Sequence, residues 1–252
     1  MMVTGADGAP FVHELAGLLS PDDELTVVAP TVRGHFSARL DASPDLDELL
    51  TAGTSPTYGV HEALEAIGYT PPWQRASDQA VAVRLVRTDL TATGVALTEA
   101  TIAAAIRASL PYRLLPMCDD RAEFRVVIGA DSDARAIHVD EYLADPATHE
   151  VTQLLLIADQ ISISPALSQA LVETDVLVLG PSSRTLAIDP VLRTPRFLEL
   201  VGDDLPVLVV EHIESAPADL VRVAGLQQPD PGRAESVPAD PAAVLDRIRQ
   251  LA

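Results

Sequence analysis

Residues Asp175 to Leu192 read Asp-Val-Leu-Val-Leu-Gly-Pro-Ser-Ser-Arg-Thr-Leu-Ala-Ile-Asp-Pro-Val-Leu and carry the most informative pattern for the fold. The apolar run in this stretch, residues 176–179, stops at Gly-Pro, which is typical of a strand buried on both faces of a parallel sheet. Ligands of open α/β sheets gather at the carboxyl ends of such strands. We therefore expect Ser182 and Ser183 to face a ligand crevice, where they can receive a phosphate. A helix N-terminus capped by serine is the alternative explanation of the same spacing.

Two further apolar runs predict neighbouring strands of the same sheet. They cover residues 25–29 and 206–210, and each ends at a polar or proline-containing loop. Helix-period patterns at residues 79–93 and 98–109 predict a pair of helices inserted upon the sheet. The sequence therefore predicts an α/β protein with a mainly parallel sheet and a helical insertion.

The segments between these elements are less regular. Alternating apolar residues predict a hairpin over residues 124–139. Residues 114–120 are expected to form a loop, and residues 217–241 show little pattern apart from frequent proline, aspartate and alanine. No internal repeat is present, so one extended domain over all 252 residues is the simpler expectation.

Composition argues against several classes of function. Acidic residues number 37 against 17 basic ones, all of them arginine, which gives a net charge of −20. This charge would repel a phosphate polymer, so nucleic-acid binding is not expected. The single cysteine, Cys118, excludes an internal disulfide and a cysteine metal cluster. No apolar run is as long as a membrane span and no signal sequence is evident, so we expect a cytoplasmic protein without a membrane partner.

Two polar segments supply candidate site residues. Residues 4–10 carry Gly5 and Gly8 between a predicted strand and a predicted helix, an arrangement that brings a backbone close to a phosphate. A later segment, Ser-Pro-Asp-Leu-Asp-Glu, reads as a well-capped helix start with carboxylates in its first turn. Its Asp45 and Asp47 would lie at the mouth of the crevice, where Mg²⁺ held by protein and substrate phosphates is expected.

Several motifs occur in a definite order along the chain. They are Ser43-Pro44-Asp45-Leu46-Asp47, Leu97-Thr98-Glu99-Ala100-Thr101, Leu115-Pro116-Met117-Cys118-Asp119-Asp120 and Gly180-Pro181-Ser182. Together they resemble the CofD family, the 2-phospho-L-lactate transferases of deazaflavin coenzyme F-420 biosynthesis. The motifs occur in the order and at nearly the spacing of the family, which is more specific than any single motif. The chain thus resembles a divergent member of the CofD family.

The resemblance implies a fold, a reaction and a cofactor. The implied fold is a Rossmann-like, three-layer, mainly parallel sheet with a helical insertion at about residues 73–110. The implied reaction moves a phospholactyl-type group from a guanosine diphosphate donor to a deazaflavin alcohol and releases GMP. Mg²⁺ is implied as cofactor, with Asp47 as metal ligand and catalytic residue, and a dimer is implied as the assembly.

The same resemblance implies a set of substrate-binding residues. Backbone and hydroxyl groups near the two glycines and the two serines would contact the donor, while an arginine and an aspartate would meet the acceptor. These residues are Gly5, Gly8, Arg75, Asp78, Ser182 and Ser183.

Departures from the family pattern fall at charged positions. Phe11 stands where the phosphate loop of the family has lysine, and Gly34 stands where an aspartate is expected. Only Asp47 therefore remains of an expected carboxylate pair, so Mg²⁺ binding is expected to be weak and to depend on the bound ligand. A family histidine has become Arg84, and a glycine before proline has become Asp189.

Two hypotheses follow from these departures. The first is a CofD-like transferase with weakened chemistry, because a lost electrostatic partner commonly costs about a hundredfold to a thousandfold in rate. The second is a catalytically silent binding or regulatory homologue that forms a homodimer or pairs with an intact enzyme. A generic dehydrogenase or kinase is less well supported, because neither of the usual glycine-rich nucleotide motifs is present.

Overall fold

The computed structural model describes residues 1–37, 40–69, 75–148, 150–202, 204–212, 214–224 and 234–252. Strands within these ranges form a main sheet, a small three-stranded sheet and a two-stranded hairpin. They are β1 (Met2–Val3), β2 (Thr26–Ala29), β3 (His35–Ser37), β4 (Leu40–Ala42), β5 (Arg113–Pro116), β6 (Ala122–Ile128), β7 (Arg135–His138), β8 (Val151–Ala158), β9 (Leu177–Leu179), β10 (Val207–Val210) and β11 (Ala234–Val237).

The helices lie mostly between these strands. They are α1 (Ala9–Leu18), α2 (Pro44–Leu50), α3 (Gly59–Ala66), α4 (Asp78–Ala92), α5 (Leu97–Arg107), α6 (Val139–Ala144), α7 (Pro165–Val172), α8 (Asp189–Leu192), α9 (Phe197–Val201), α10 (Ala218–Ala224) and α11 (Pro241–Leu251). A 3₁₀ turn at Ala6–Gly8 precedes α1, and a π-helical turn at Arg184–Ile188 precedes α8. No described helix has the length and apolar character that crossing a bilayer requires.

The main sheet is parallel and has the strand order of a Rossmann fold. Its order is β11-β10-β9-β1-β2-β5, with every pair parallel. Val3 of the central strand pairs with Val28 on one side and Leu179 on the other. The chain order therefore reverses beside β1, and a sheet of this kind binds ligands at the carboxyl ends of the strands on either side of that point.

Helices cover both faces of this sheet, which explains the uninterrupted apolar runs. Val27 and Val178 pack into one buried cluster with residues of α1, α2 and α11. Their neighbours Val28 and Leu179 pack into a second cluster that contains residues of α7 and α9. Because side chains of a strand alternate between faces, two clusters on opposite faces make three layers. The predicted fold class is thus confirmed.

The remaining elements extend the sheet on one side. Helices α4 and α5 pack against each other, and α5 also contacts β5. The start of the predicted insertion, residues 73–74, lies outside the described residues. The predicted hairpin over residues 124–139 is confirmed as β6 and β7, and β8 completes an antiparallel sheet of order β7-β6-β8.

Two edge strands of the main sheet were not predicted. The expected loop at residues 114–120 is wrong in its first part, because residues 113–116 form β5 at one edge. Pro116 ends this strand, where a missing N–H is tolerated. At the other edge β11 has three exposed residues, so it lacks the apolar run that marks a buried strand.

Candidate functional site

A tight glycine turn lies at the carboxyl end of β1, beside the end of β9. The Gly5 N–H donates to Ser182 Oγ at 3.0 Å, and Thr4 Oγ1 lies 2.7 Å from the same hydroxyl oxygen. A Cβ on Gly8 would lie 2.0 Å from Thr4 Oγ1, so only glycine fits there. The structure therefore brings three predicted residues together: Gly5, Gly8 and Ser182.

The Asp45 carboxylate closes this turn from the other side. Its Oδ1 accepts the Ala6 N–H at 2.9 Å and lies 3.6 Å from Arg33 Nη1, while its buried Oδ2 has no hydrogen-bond partner among the described residues. Burial raises the pKa of Asp45 to about 6, although Arg33 and the Ala6 N–H oppose the shift. Three backbone N–H groups of the turn therefore already have acceptors within the protein. Gly5 N–H donates to Ser182 Oγ, Ala6 N–H donates to Asp45 Oδ1, and Gly8 N–H donates to the Gly5 carbonyl oxygen.

Asp47 points away from the glycine turn, towards α4. Positions two apart on a helix face different directions, which separates Asp47 from Asp45. Arg84 Nε lies 2.6 Å from Asp47 Oδ2, and Arg87 Nη2 lies 2.8 Å from Oδ1. All three side chains are buried. Both carboxylates were expected at the mouth of the crevice, with Asp47 as the metal ligand, whereas the carboxylate beside Gly5 is Asp45.

The surroundings of Asp47 do not fit Mg²⁺. This ion needs oxygen ligands at about 2.0–2.1 Å and near-octahedral geometry. Two guanidinium groups instead face the two carboxylate oxygens, and arginine stays protonated at any ordinary pH. A cation at Asp47 would have to displace at least one of them.

A second polar cluster joins the loop after β2 to the end of β7. Arg33 Nε donates to Asp140 Oδ1 at 2.7 Å, and the Asp140 N–H donates to His138 Nδ1 at 3.0 Å. The His35 and His138 rings lie 5.0 Å apart, edge to face. Burial lowers the pKa of both histidines, which favours their neutral forms.

This cluster is the group of described side chains that could hold a metal ion. One ligand atom from each of His35, His138 and Asp140 lies within 4.8 Å of the others. The hydrogen bond from Asp140 N–H occupies the Nδ1 lone pair of His138, however, and Arg33 supplies a competing positive charge. These residues were not predicted from the sequence, because more than a hundred positions separate His35 in the loop from His138 in the hairpin. A histidine and an aspartate two apart after a predicted strand were the available signal.

Three other predicted residues have clear local contacts. Asp78 accepts hydrogen bonds from the Gly59 and Val60 N–H groups at the start of α3, and hydrogen bonding holds its pKa low. Ser183 caps the π-helical turn by accepting the Leu186 N–H, as the alternative explanation of its spacing predicted. The exposed guanidinium of Arg75 stacks over a tyrosine ring at 3.9 Å.

Two clefts meet beside His35. The smaller, of about 390 Å³, is lined by Arg33, Arg75 and Arg84 together with the residues after Gly5. The larger, of about 750 Å³, lies between the loop before α5 and the antiparallel sheet. The arrangement places an arginine-lined cleft next to the glycine turn and a roomier cavity beyond it.

The departures from the family pattern have structural consequences. Phe11 is buried in the apolar cluster of α1, so no cation reaches the turn from that position. A Cβ on Gly34 would lie 3.0 Å from the Thr31 carbonyl oxygen, so an aspartate there requires a local shift. Asp189 is buried and pairs with Arg184 at 3.1 Å.

Comparisons with known proteins agree with these features. The family model described as 2-phospho-L-lactate transferase CofD matches residues 8–222. A phosphoenolpyruvate transferase of Streptomyces griseus is 31% identical over 228 residues, covering 84% of this chain and 71% of the relative. One of Mycolicibacterium smegmatis is 33% identical over 221 residues, covering 77% of this chain and 67% of the relative.

A solved structure extends the likeness in fold. A crystal structure of protein BH3568 from Bacillus halodurans, a protein placed in the UPF0052 family, superposes with a TM-score of 0.60. Sequence identity is 14%, and the match covers 94% of this chain and 78% of the other. At this identity the comparison concerns the fold alone.

Proposed function

Because this chain belongs to the 2-phospho-L-lactate transferase CofD family, we propose that it is a slow transferase of a phosphorylated three-carbon acid. The proposed donor is a guanosine diphosphate derivative of phospholactyl or phosphoenolpyruvyl type, and the proposed acceptor is a deazaflavin alcohol. The curated relatives, named phosphoenolpyruvate transferases, favour the phosphoenolpyruvyl type.

The proposed reaction is a single displacement at phosphorus. The acceptor hydroxyl oxygen forms a bond to the phosphorus that carries the three-carbon acid, and the P–O–P bridge breaks. GMP leaves with the bridging oxygen, and the hydroxyl proton passes to a base or to solvent. The protein contributes position and charge, since phosphoryl transfer needs little covalent help.

The glycine turn at the reversal point of the sheet carries this proposal. Gly5 and Ser182 lie where a Rossmann sheet binds ligands. Arg33 lies near this turn, because its guanidinium pairs with the Asp45 carboxylate that closes the turn. Arginine recognises phosphate oxygens with paired N–H donors. We therefore propose that the donor diphosphate binds in the smaller cleft and the acceptor in the larger cavity beyond His35.

We propose a slow transfer rate because the glycine turn lacks a positive charge and free N–H groups for the donor phosphates. Phe11 supplies no charge, and internal acceptors already hold the N–H groups of Gly5 and Ala6. The Asp45 carboxylate also stands where a phosphate oxygen would accept the Ala6 N–H. Each lost electrostatic contact commonly costs about a hundredfold to a thousandfold in rate.

The same occupied N–H groups favour one alternative, a silent homologue that binds these ligands and regulates or pairs with an intact enzyme. Gel filtration, alone and with such an enzyme, tests the pairing. A dimer or mixed complex supports it, and a monomer under both conditions contradicts it.

The transfer itself is tested by following GMP release from the guanosine diphosphate donor, beside a fluorescence titration with the deazaflavin alcohol. We expect measurable binding, and GMP release that matches the phosphorylated product mole for mole but is slow. Turnover near the median enzyme rate of about 10 s⁻¹ contradicts the proposed weakening. Binding of neither ligand contradicts both the transferase and its alternative.

A further inference from the structure

Asp47 is the centre of a buried cluster with excess positive charge. One carboxylate faces two guanidinium groups, those of Arg84 and Arg87, on its two oxygens. Arg87 is fully buried and also donates to the Asp41 carbonyl oxygen at 2.7 Å. Arg84 lies on the other side and lines the smaller cleft. The cluster therefore presents a fixed cation to the cleft through Arg84.

The cleft brings further arginines towards Arg84. Arg33 is held in place by Asp140 and Asp45, while Arg75 is exposed and free of ion pairs in the described part of the chain. The charged and titratable groups that line this cleft are Arg33, Arg75, Arg84, His35, Asp7, Glu48 and Asp140.

Positive and negative charges in the cleft are not equally available to a ligand. Asp140 is already paired with Arg33 at 2.7 Å. Asp7 accepts a hydrogen bond from the Ser215 hydroxyl at 2.7 Å, whereas Arg75 has no ion pair within the described residues. An anion that enters the cleft therefore meets a guanidinium that no described carboxylate holds.

We infer that Arg84 takes the place of a divalent cation at Asp47, so that this cleft binds a diphosphate through arginine side chains and without metal. The guanidinium already satisfies Asp47 Oδ2 through Nε, and its outer nitrogens are suited to paired contacts with phosphate oxygens. The inference deepens the proposed function and rests on it for the identity of the donor, but binding of a simple diphosphate tests it separately.

The test uses calorimetry on the purified full chain with two probes. Mg²⁺ alone is titrated first, and inorganic pyrophosphate is then titrated in the presence of EDTA. Arg84→Gln removes the proposed contact, and Arg84→Lys keeps the charge if the glutamine variant fails to fold. Arg107→Gln is the matched control, because this exposed arginine on the neighbouring helix α5 donates to a carbonyl of its own helix and has no ion pair among the described residues.

We expect no Mg²⁺ binding at Asp47 and clear pyrophosphate binding in EDTA. Arg84→Gln should weaken pyrophosphate binding by about tenfold or more, which corresponds to the loss of a hydrogen bond to a charged group. Arg84→Lys should weaken it less, and Arg107→Gln should change it by less than about twofold.

Two results overturn the inference. One is Mg²⁺ binding by the wild-type protein that Asp47→Asn abolishes. The other is pyrophosphate binding that is absent, or that requires Mg²⁺. Metal-free binding of pyrophosphate without transfer activity leaves the inference standing and counts against the proposed function, whereas transfer that EDTA abolishes does the reverse.

Discussion

Replacing Asp45 by asparagine should remove a pH-dependent penalty on folding. The Asp45 carboxyl is 3% exposed, and burial raises its pKa from 3.8 to about 6. The folded protein therefore binds this proton more tightly than the unfolded chain. For a carboxyl with a raised folded-state pKa, stability falls as pH rises through the window from 3.8 to about 6 and is constant above it.

The size of the effect follows from the shift. About two pKa units at about 1.36 kcal/mol each give a penalty near 3 kcal/mol when the window is crossed completely. Part of the window lies around the isoelectric point of about 4.4, where a net charge near zero promotes precipitation. Between pH 5 and pH 8 the linkage relation leaves about 1.4 kcal/mol. Asparagine keeps the acceptor for Ala6 N–H but does not titrate.

Urea unfolding of both proteins at pH 5, 6, 7 and 8 measures this effect. The free energy of unfolding of Asp45→Asn, relative to wild type, should rise by about 1.4 kcal/mol from pH 5 to pH 8. Asp89→Asn, an exposed aspartate on α4, is the control and should show no such trend. A flat difference for Asp45→Asn, or one that falls with pH, would mean that Arg33 holds Asp45 ionised and would refute the reasoning.

Two further predictions concern stability. Asp47→Ala leaves two buried guanidinium groups without their carboxylate and should lower the free energy of unfolding by about 3–5 kcal/mol. The control Asp219→Ala breaks an exposed ion pair and should lower it by about 1 kcal/mol or less in the same urea titration. Gly8→Ala should lower the melting temperature because its Cβ would clash with Thr4, while Gly17→Ala, which meets open space within α1, should stabilise by about 0.5–1 kcal/mol. Equal effects within either pair of variants would contradict the corresponding contact.

Much of the fold could be predicted because its central strands are buried on both faces. Residues 25–29 and 176–179 each read as an apolar run, and in the structure each alternates between two apolar clusters. The edge strands β5 and β11 could not be predicted in this way, because a strand at the edge of a sheet does not need an uninterrupted apolar run.

The candidate site was predictable only in part. Glycine and serine directly after a strand are typical of a ligand-binding turn, so Gly5 and Ser182 could be predicted, and in the structure they share a hydrogen bond. Both carboxylates of the Ser-Pro-Asp-Leu-Asp segment were identified, but their directions were not. Direction depends on Arg33, Arg84 and Arg87, and no local pattern ties these arginines to Asp45 or Asp47. Long-range ion pairs of this kind leave no periodic trace in a sequence.

The most direct test of the account is a single-turnover experiment with the protein in excess over the guanosine diphosphate donor, at saturating deazaflavin alcohol and in EDTA. Formation of the phosphodiester between the deazaflavin alcohol and the three-carbon acid is followed in parallel with a curated phosphoenolpyruvate transferase assayed with Mg²⁺. We expect product formation that is at least about a hundredfold slower than for the relative and is unchanged by added Mg²⁺. A rate equal to that of the relative, or one that appears only with Mg²⁺, would contradict it.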